Sequence, residues 1–106
     1  MRLDRIEREE SVLVDIINCV DQPDLNDTAL ACRTLDISED GMKVISELNL
    51  PVNTLLGLRL DLETHLYRLQ GHVRWTNDEG DFHVGLLLNQ ESPDLRDWAQ
   101  MFQIEF

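Results

Sequence analysis

Lysine is nearly absent from this 106-residue chain: Lys43 is the only one, beside eight arginines. Against those nine bases stand 21 acids, for a net charge of −12. A polyanion gains affinity when Lys and Arg displace its counterions, so DNA, RNA and anionic membrane surfaces are poor partners for such a chain. A small anion finds a place only where several arginines converge. Long apolar runs are missing too, and nothing approaches the ~18–20 residues that cross a bilayer as a helix. The first ten residues hold three arginines and four acids with no apolar stretch of the secretory type, so a cytoplasmic protein is expected.

Cysteine is scarce. Cys19 and Cys32 are too few for a disulfide scaffold. A hairpin with its tip at Leu25-Asn26 would set them opposite each other, yet in a reducing cytoplasm two buried thiols packing as small hydrophobes is the better reading. No serine among Ser11, Ser38, Ser46 and Ser92 carries a local nucleophile signature. His65, His72 and His83 lack the paired spacing of a metal site. The expectation is a binding or adaptor protein with no enzyme activity, no metal and no cofactor.

What is present is strand periodicity. An apolar content of 42% supports one core, and the length suits one domain. Val12, Val14, Ile16 and Val20 predict a strand over 11–20, and 28–37 a second. A short strand follows at 42–45. Leu56, Leu58, Leu60 and Leu62 alternate with Gly57, Arg59, Asp61 and Glu63, the clearest half-buried strand. Residues 65–76 place Tyr67, Leu69, Val73 and Trp75 on one face, Asn77-Asp78-Glu79-Gly80 turns the chain, and 82–88 is the last strand. Ser92 suits a helix N-cap, Pro93 the first helical position, and Leu95, Trp98 and Phe102 line one helical face beside Met101. The pattern predicts a mainly β fold, a six-stranded antiparallel barrel, divided into an arm (1–10), a barrel (11–90) and a C-terminal helix (92–104).

The segment Asp36-Ile37-Ser38-Glu39-Asp40-Gly41 is a D-x-S-x-x-G turn between apolar strands. Gly71-His72-Val73-Arg74-Trp75 follows a G-x-V-x-W pattern, and Phe82-His83-Val84-Gly85-Leu86-Leu87-Leu88 is an aromatic-aliphatic run broken by glycine. In order and spacing these three landmarks resemble the PilZ domain family over residues 11–104. The resemblance implies a six-stranded barrel that binds cyclic di-GMP through an R-x-x-x-R arm before the first strand and through the D-x-S-x-x-G turn. The arm's guanidiniums would clamp phosphates bidentately and stack on guanine. The turn's Asp and Ser would hydrogen-bond the ligand, and its Gly would let the backbone come close.

Asp36, Ser38 and Gly41 match the turn in full, whereas the arm departs from the pattern. Arg2, Arg5 and Arg8 are spaced by three, and Glu7 and Ser11 stand where the paired arginines belong. The candidate ligand-binding set is therefore Arg5, Arg8, Asp36, Ser38 and Gly41, with Arg33 and Arg74 as further cations. The resemblance implies a signalling protein of the cyclic di-GMP network acting on motility, pili or exopolysaccharide. The alternative is a ligand-independent adaptor that docks a protein partner by its acidic loops, barrel face or helix. The structural reading of the same turn has Asp36 and Ser38 capping backbone N–H groups with Gly41 left-handed. The arm would be a solvated charged segment, and Trp75 and Trp98 core residues.

Overall fold

Val12, Val14 and Ile16 in one strand and Leu60, Leu58 and Leu56 in the strand beside it are all 1% exposed or less, and as cross-strand partners they line the inside of a closed barrel together. Full burial of side chains of this size contributes about 1.5–3 kcal/mol each, which makes this alternation the main determinant of the fold. The computed structural model describes residues 6–62 and 64–103. Its strands are β1 (Ile6–Glu7), β2 (Ser11–Asn18), β3 (Ala29–Ile37), β4 (Gly41–Ser46), β5 (Leu55–Leu62), β6 (His65–Glu79) and β7 (Asp81–Leu88), followed by helix α1 (Leu95–Gln100).

All pairings are antiparallel. The order β3-β2-β5-β6-β7-β4 closes through β3–β4, giving the expected six-stranded barrel, and β1 lies outside this ring on β3. β1 and β2 follow the same edge of β3, Ile6 opposite Ile37 and Val12 opposite Cys32. The described part of the arm is thus a docked strand and not a solvated lead. Thr34 holds the stretch between the two: its hydroxyl donates to the Arg8 carbonyl at 2.5 Å and accepts from the Glu10 N–H at 2.9 Å.

The thiols are buried as small hydrophobes, but they do not face each other. The loop before β3 contains a 3₁₀ turn at Pro23–Leu25, and the register pairs Cys32 with Val12. Cys19 is held elsewhere, its N–H donating to Asn26 Oδ1 at 2.7 Å. Burial pushes the Cys32 thiol above its ordinary pKa, partly countered by a Ser46 hydrogen bond.

The closing helix is shorter than its apolar spacing predicts. Asp94 is its N-cap position, and Phe102 is fully buried just beyond its end; residue 104 lies outside the described residues. Ser92 has other work, accepting from the Gln70 N–H at 2.9 Å and donating to the Asn89 carbonyl at 2.7 Å, which fixes the entry to the helix against β6. Trp98 is fully buried as expected, in edge contact with Tyr67 and Phe102. No helix among the described residues is long and apolar enough to cross a membrane.

Candidate functional site

Two bulges decide which residues reach the outer surface near the D-x-S-x-x-G turn. Strict alternation along β3 from the buried Cys32 and Thr34 would send Asp36 into the core and Ile37 out. The β3–β4 register shifts between Thr34 and Asp36, so Leu35 is the extra residue, Asp36 turns outward and Ile37 becomes 1% exposed. The same happens on β6. Val73 is buried, the register with β7 shifts between Val73 and Trp75, and Trp75 emerges at 44% exposure instead of joining the core. Bulges re-aim side chains in this way and concentrate next to functional sites.

Cross-strand partners lie on one face of a sheet. Followed across the barrel, the pairings give an outer row of Glu7, Asp36, Lys43, Gly85 and Trp75. Gly85 leaves room for the indole: a Cβ there would lie 2.2 Å from the Trp75 ring. Lys43 Nζ is 5.8 Å from the ring centroid, at the outer reach of a cation–π contact. The bulge residue Arg74, together with Asp36, Ser38, Lys43 and Trp75, lines a groove of about 470 Å³ over this row.

The turn itself is internally bonded. The Ser38 N–H donates to the Gly41 carbonyl at 2.8 Å, and Ser38 Oγ accepts from the Gly41 N–H at 3.1 Å. Gly41 has no positive φ; what demands glycine is the neighbouring strand, because a Cβ would sit 2.1 Å from the Leu86 carbonyl oxygen. A positive φ, 95°, is found at Gly80, as suits the glycine of the 77–80 turn, although β6 and β7 turn there more tightly than the four-residue reading predicts. The Ser38 carbonyl accepts from Trp98 Nε1 at 2.9 Å, so the turn and the helix are directly joined. A larger cleft of about 710 Å³ lies between turn, β7 and helix, but Asp36, Ser38 and Gly41 do not line it.

Of the candidate set, Asp36, Ser38 and Gly41 come together at the groove. Arg5 lies outside the described residues. Arg8 follows β1, with its Nε on Glu10 Oε1 at 2.7 Å. Glu7 pairs in register with Asp36, which places an acid beside an acid on the arm side of the turn. Arg33 pairs with Glu9 at 3.2 Å, whereas Arg74 reaches the groove. Sequence reasoning missed Lys43 and Trp75. Their signal was faint: a lone lysine after the turn glycine, and a Trp/Gly pair whose juxtaposition requires the bulged register.

Among curated proteins none matches this sequence. Solved structures share the fold at low identity. The Bacillus subtilis inhibitor of motility (MotI/DgrA) superposes with a TM-score of 0.72 at 15% identity, covering 95% of this chain and 48% of that one, so this chain spans about half its length. The PilZ domain of CeSA from a cellulose-synthesizing bacterium gives 0.66 at 16% identity, covering 91% and 90%. The PilZ domain of Escherichia coli YcgR, solved with cyclic di-GMP, gives 0.66 at 13% identity, covering 94% and 86%. The profile of the PilZ domain matches residues 7–102, the whole span from β1 to the end of the helix region, and the chain belongs to the PilZ domain family.

Proposed function

We propose that this domain serves cyclic di-GMP signalling in the cytoplasm, taking the nucleotide at the turn of residues 36–41 and relaying its occupancy to a bacterial output such as motility, pilus assembly or exopolysaccharide secretion. The observation that supports this reading best is the complete turn at the mouth of a groove, with Asp36 turned outward by a bulge and Ser38 beside it. Relay has a ready path through the Trp98–Ser38 hydrogen bond into α1.

Affinity is expected to be weak. A dianion approaching a chain of net charge −12 does work against the field, and Glu7 adds an acid where the family places an arginine. Loss of one charge-assisted contact forfeits about 1.5–3 kcal/mol, roughly ten- to hundredfold in affinity. Calorimetric titration with cyclic di-GMP at low and physiological salt tests the reading. Binding should be stronger at physiological than at low salt, where the chain's repulsion is less screened, and should strengthen roughly tenfold or more in the double variant Glu7→Arg, Ser11→Arg. No heat and no thermal shift in either protein at high ligand would end the nucleotide reading.

A second reading, the ligand-independent adaptor, draws support from the same Glu7–Asp36 pair and from the Arg8–Glu10 ion pair. Here the domain docks a protein partner, with exposed Asp21, Asp24 and Asp27 of one loop and Asp78 and Asp81 at the β6–β7 tip steering the encounter. Reversing those charges should slow capture of the partner; unchanged capture would count against the loops.

A further inference from the structure

We propose that the free edge of β6 at Arg74–Asp78 is a dimerisation edge. A second copy of this chain lays the same segment against it antiparallel, and Arg74 of each copy faces Asp78 of the other. The pairing is independent of nucleotide binding.

The edge comes first. β6 is longer than the strand beside it, and β5 covers it only from His65 to His72. The last contacts on that side are at Val73, whose carbonyl accepts from the Asn53 N–H at 2.8 Å and whose N–H donates to the Thr54 carbonyl at 3.1 Å. Beyond Val73 no strand among the described residues pairs with β6 there, although β7 pairs with its other edge as far as Glu79. β7 is itself covered by β4 up to Phe82, so only β6 leaves this hairpin open. Arg74 to Asp78 are all exposed. A bare strand edge offers its peptide groups to another strand. A bulge usually disarms such an edge, but here it lies at the start. From Trp75 to Asp78 the ladder with β7 keeps a regular register.

Charge chooses the occupant. Arg8, Arg33, Arg59 and Arg68 each hold an acid of their own chain within 3.3 Å. Arg74 and Asp78 have no ion-pair partner among the described residues. Two β6 edges related by a two-fold axis at Thr76 set Thr76 opposite its own copy and Arg74 opposite Asp78 twice. Thr–Thr and opposite-charge pairs are both favourable across a ladder. An unrelated segment would have to supply an acid and a base at the same spacing, whereas a second copy does so by symmetry. Trp75, 44% exposed, and Val52, 45% exposed in the turn next to Asn53, add apolar surface beside the edge. So short an interface lies at the small end of the scale, and association is expected at roughly micromolar concentration.

Sedimentation equilibrium at physiological salt, where the repulsion between two acidic chains is screened, tests the proposal. Wild type should form a dimer that dissociates on dilution. Arg74→Asp and Asp78→Arg should each weaken it roughly tenfold or more, because each sets like charges face to face twice. An equimolar mixture of the two variants should regain wild-type association, since both ion-pair positions again join an acid and a base. The double variant Arg74→Asp, Asp78→Arg should dimerise by itself for the same reason, which keeps the register decidable even where one single variant folds poorly. A wild type that is monomeric at every concentration would overturn the proposal. So would a dimer indifferent to both single reversals, or a loss that neither the mixture nor the double variant restores.

Discussion

Two rows of side chains, one ladder position apart on the same five strands, could hardly differ more. The inner row, Ile6, Ile37, Met42, Leu86 and Val73, is apolar and packs into the core. The outer row, Glu7, Asp36, Lys43, Gly85 and Trp75, carries two acids, a base, a gap and an aromatic. A β-ladder assigns each residue to core or surface by parity alone, and a slip of one residue would exchange the two sets. The bulges at Leu35 and Arg74 are where the chain changes parity, so the site exists because the alternation is broken twice.

The sharpest way to break the contrast is to shorten one residue of each row. Ile37→Ala should destabilise by about 2–5 kcal/mol in urea unfolding, from lost burial and the cavity left behind. Lys43→Ala, its outer neighbour on β4, should stay within about 0.5 kcal/mol. Equal losses would mean that the outer row is also structural.

Glycine gives the next largest effect. Gly41→Ala must push against a backbone carbonyl of β7 and should cost about 1–3 kcal/mol, since neither strand can yield without breaking the ladder. Gly85→Ala meets only the Trp75 ring, which can swing into solvent, and should cost less than Gly41→Ala.

The two tryptophans sharpen the comparison further. Trp98→Phe removes the donor to the Ser38 carbonyl from a fully buried site and should cost about 1–2 kcal/mol. Trp75→Phe should be nearly neutral for stability.

The smallest effect is in acid. The Arg68 backbone N–H, bonded to Asp94 Oδ2 at 2.7 Å, holds that carboxyl below its usual range, with the Arg68 guanidinium at 3.3 Å adding to it. Between the folded and unfolded values the unfolded chain binds the extra proton. The stabilisation is therefore complete above about pH 4 and is lost as pH falls through the folded value. Asp94→Asn should lower the melting temperature slightly near neutrality and flatten its acid limb between about pH 5 and pH 3.

Much of this architecture is legible in the sequence, and what is hidden is hidden for definable reasons. Leu56 to Leu62 and Val12 to Ile16 announce their strands because one face of each is buried without interruption. The turn is legible because Asp36, Ser38 and Gly41 carry a spaced pattern. Trp75 is misplaced by sequence because a bulge has no residue signature here: Arg74 is neither Gly nor Asn, and period two carried past it puts the indole inside. Ser92 looks like a helix cap because its hydroxyl is suited to one, but β6 claims it first. The cysteine pairing fails because a turn centred on Leu25-Asn26 presumes a tight hairpin, whereas the loop closes as a 3₁₀ turn and shifts the register. Pattern reads local preference well; it does not see which of two partners a polar group finds through the fold.

The route by which β3–β4 and β6–β7 meet also has a kinetic meaning. Each is a hairpin of neighbours in sequence, and such local ladders form in microseconds. Asp36, Ser38 and Lys43 belong to the first hairpin, Trp75 and Gly85 to the second. They share a surface only once β4 finds β7, a non-local pairing whose loop-closure entropy slows it. The groove is thus assembled from two prefabricated halves at a late, long-range step. In refolding followed by tryptophan emission, Lys43 should meet the Trp75 ring with the slow phase and not with the hairpins.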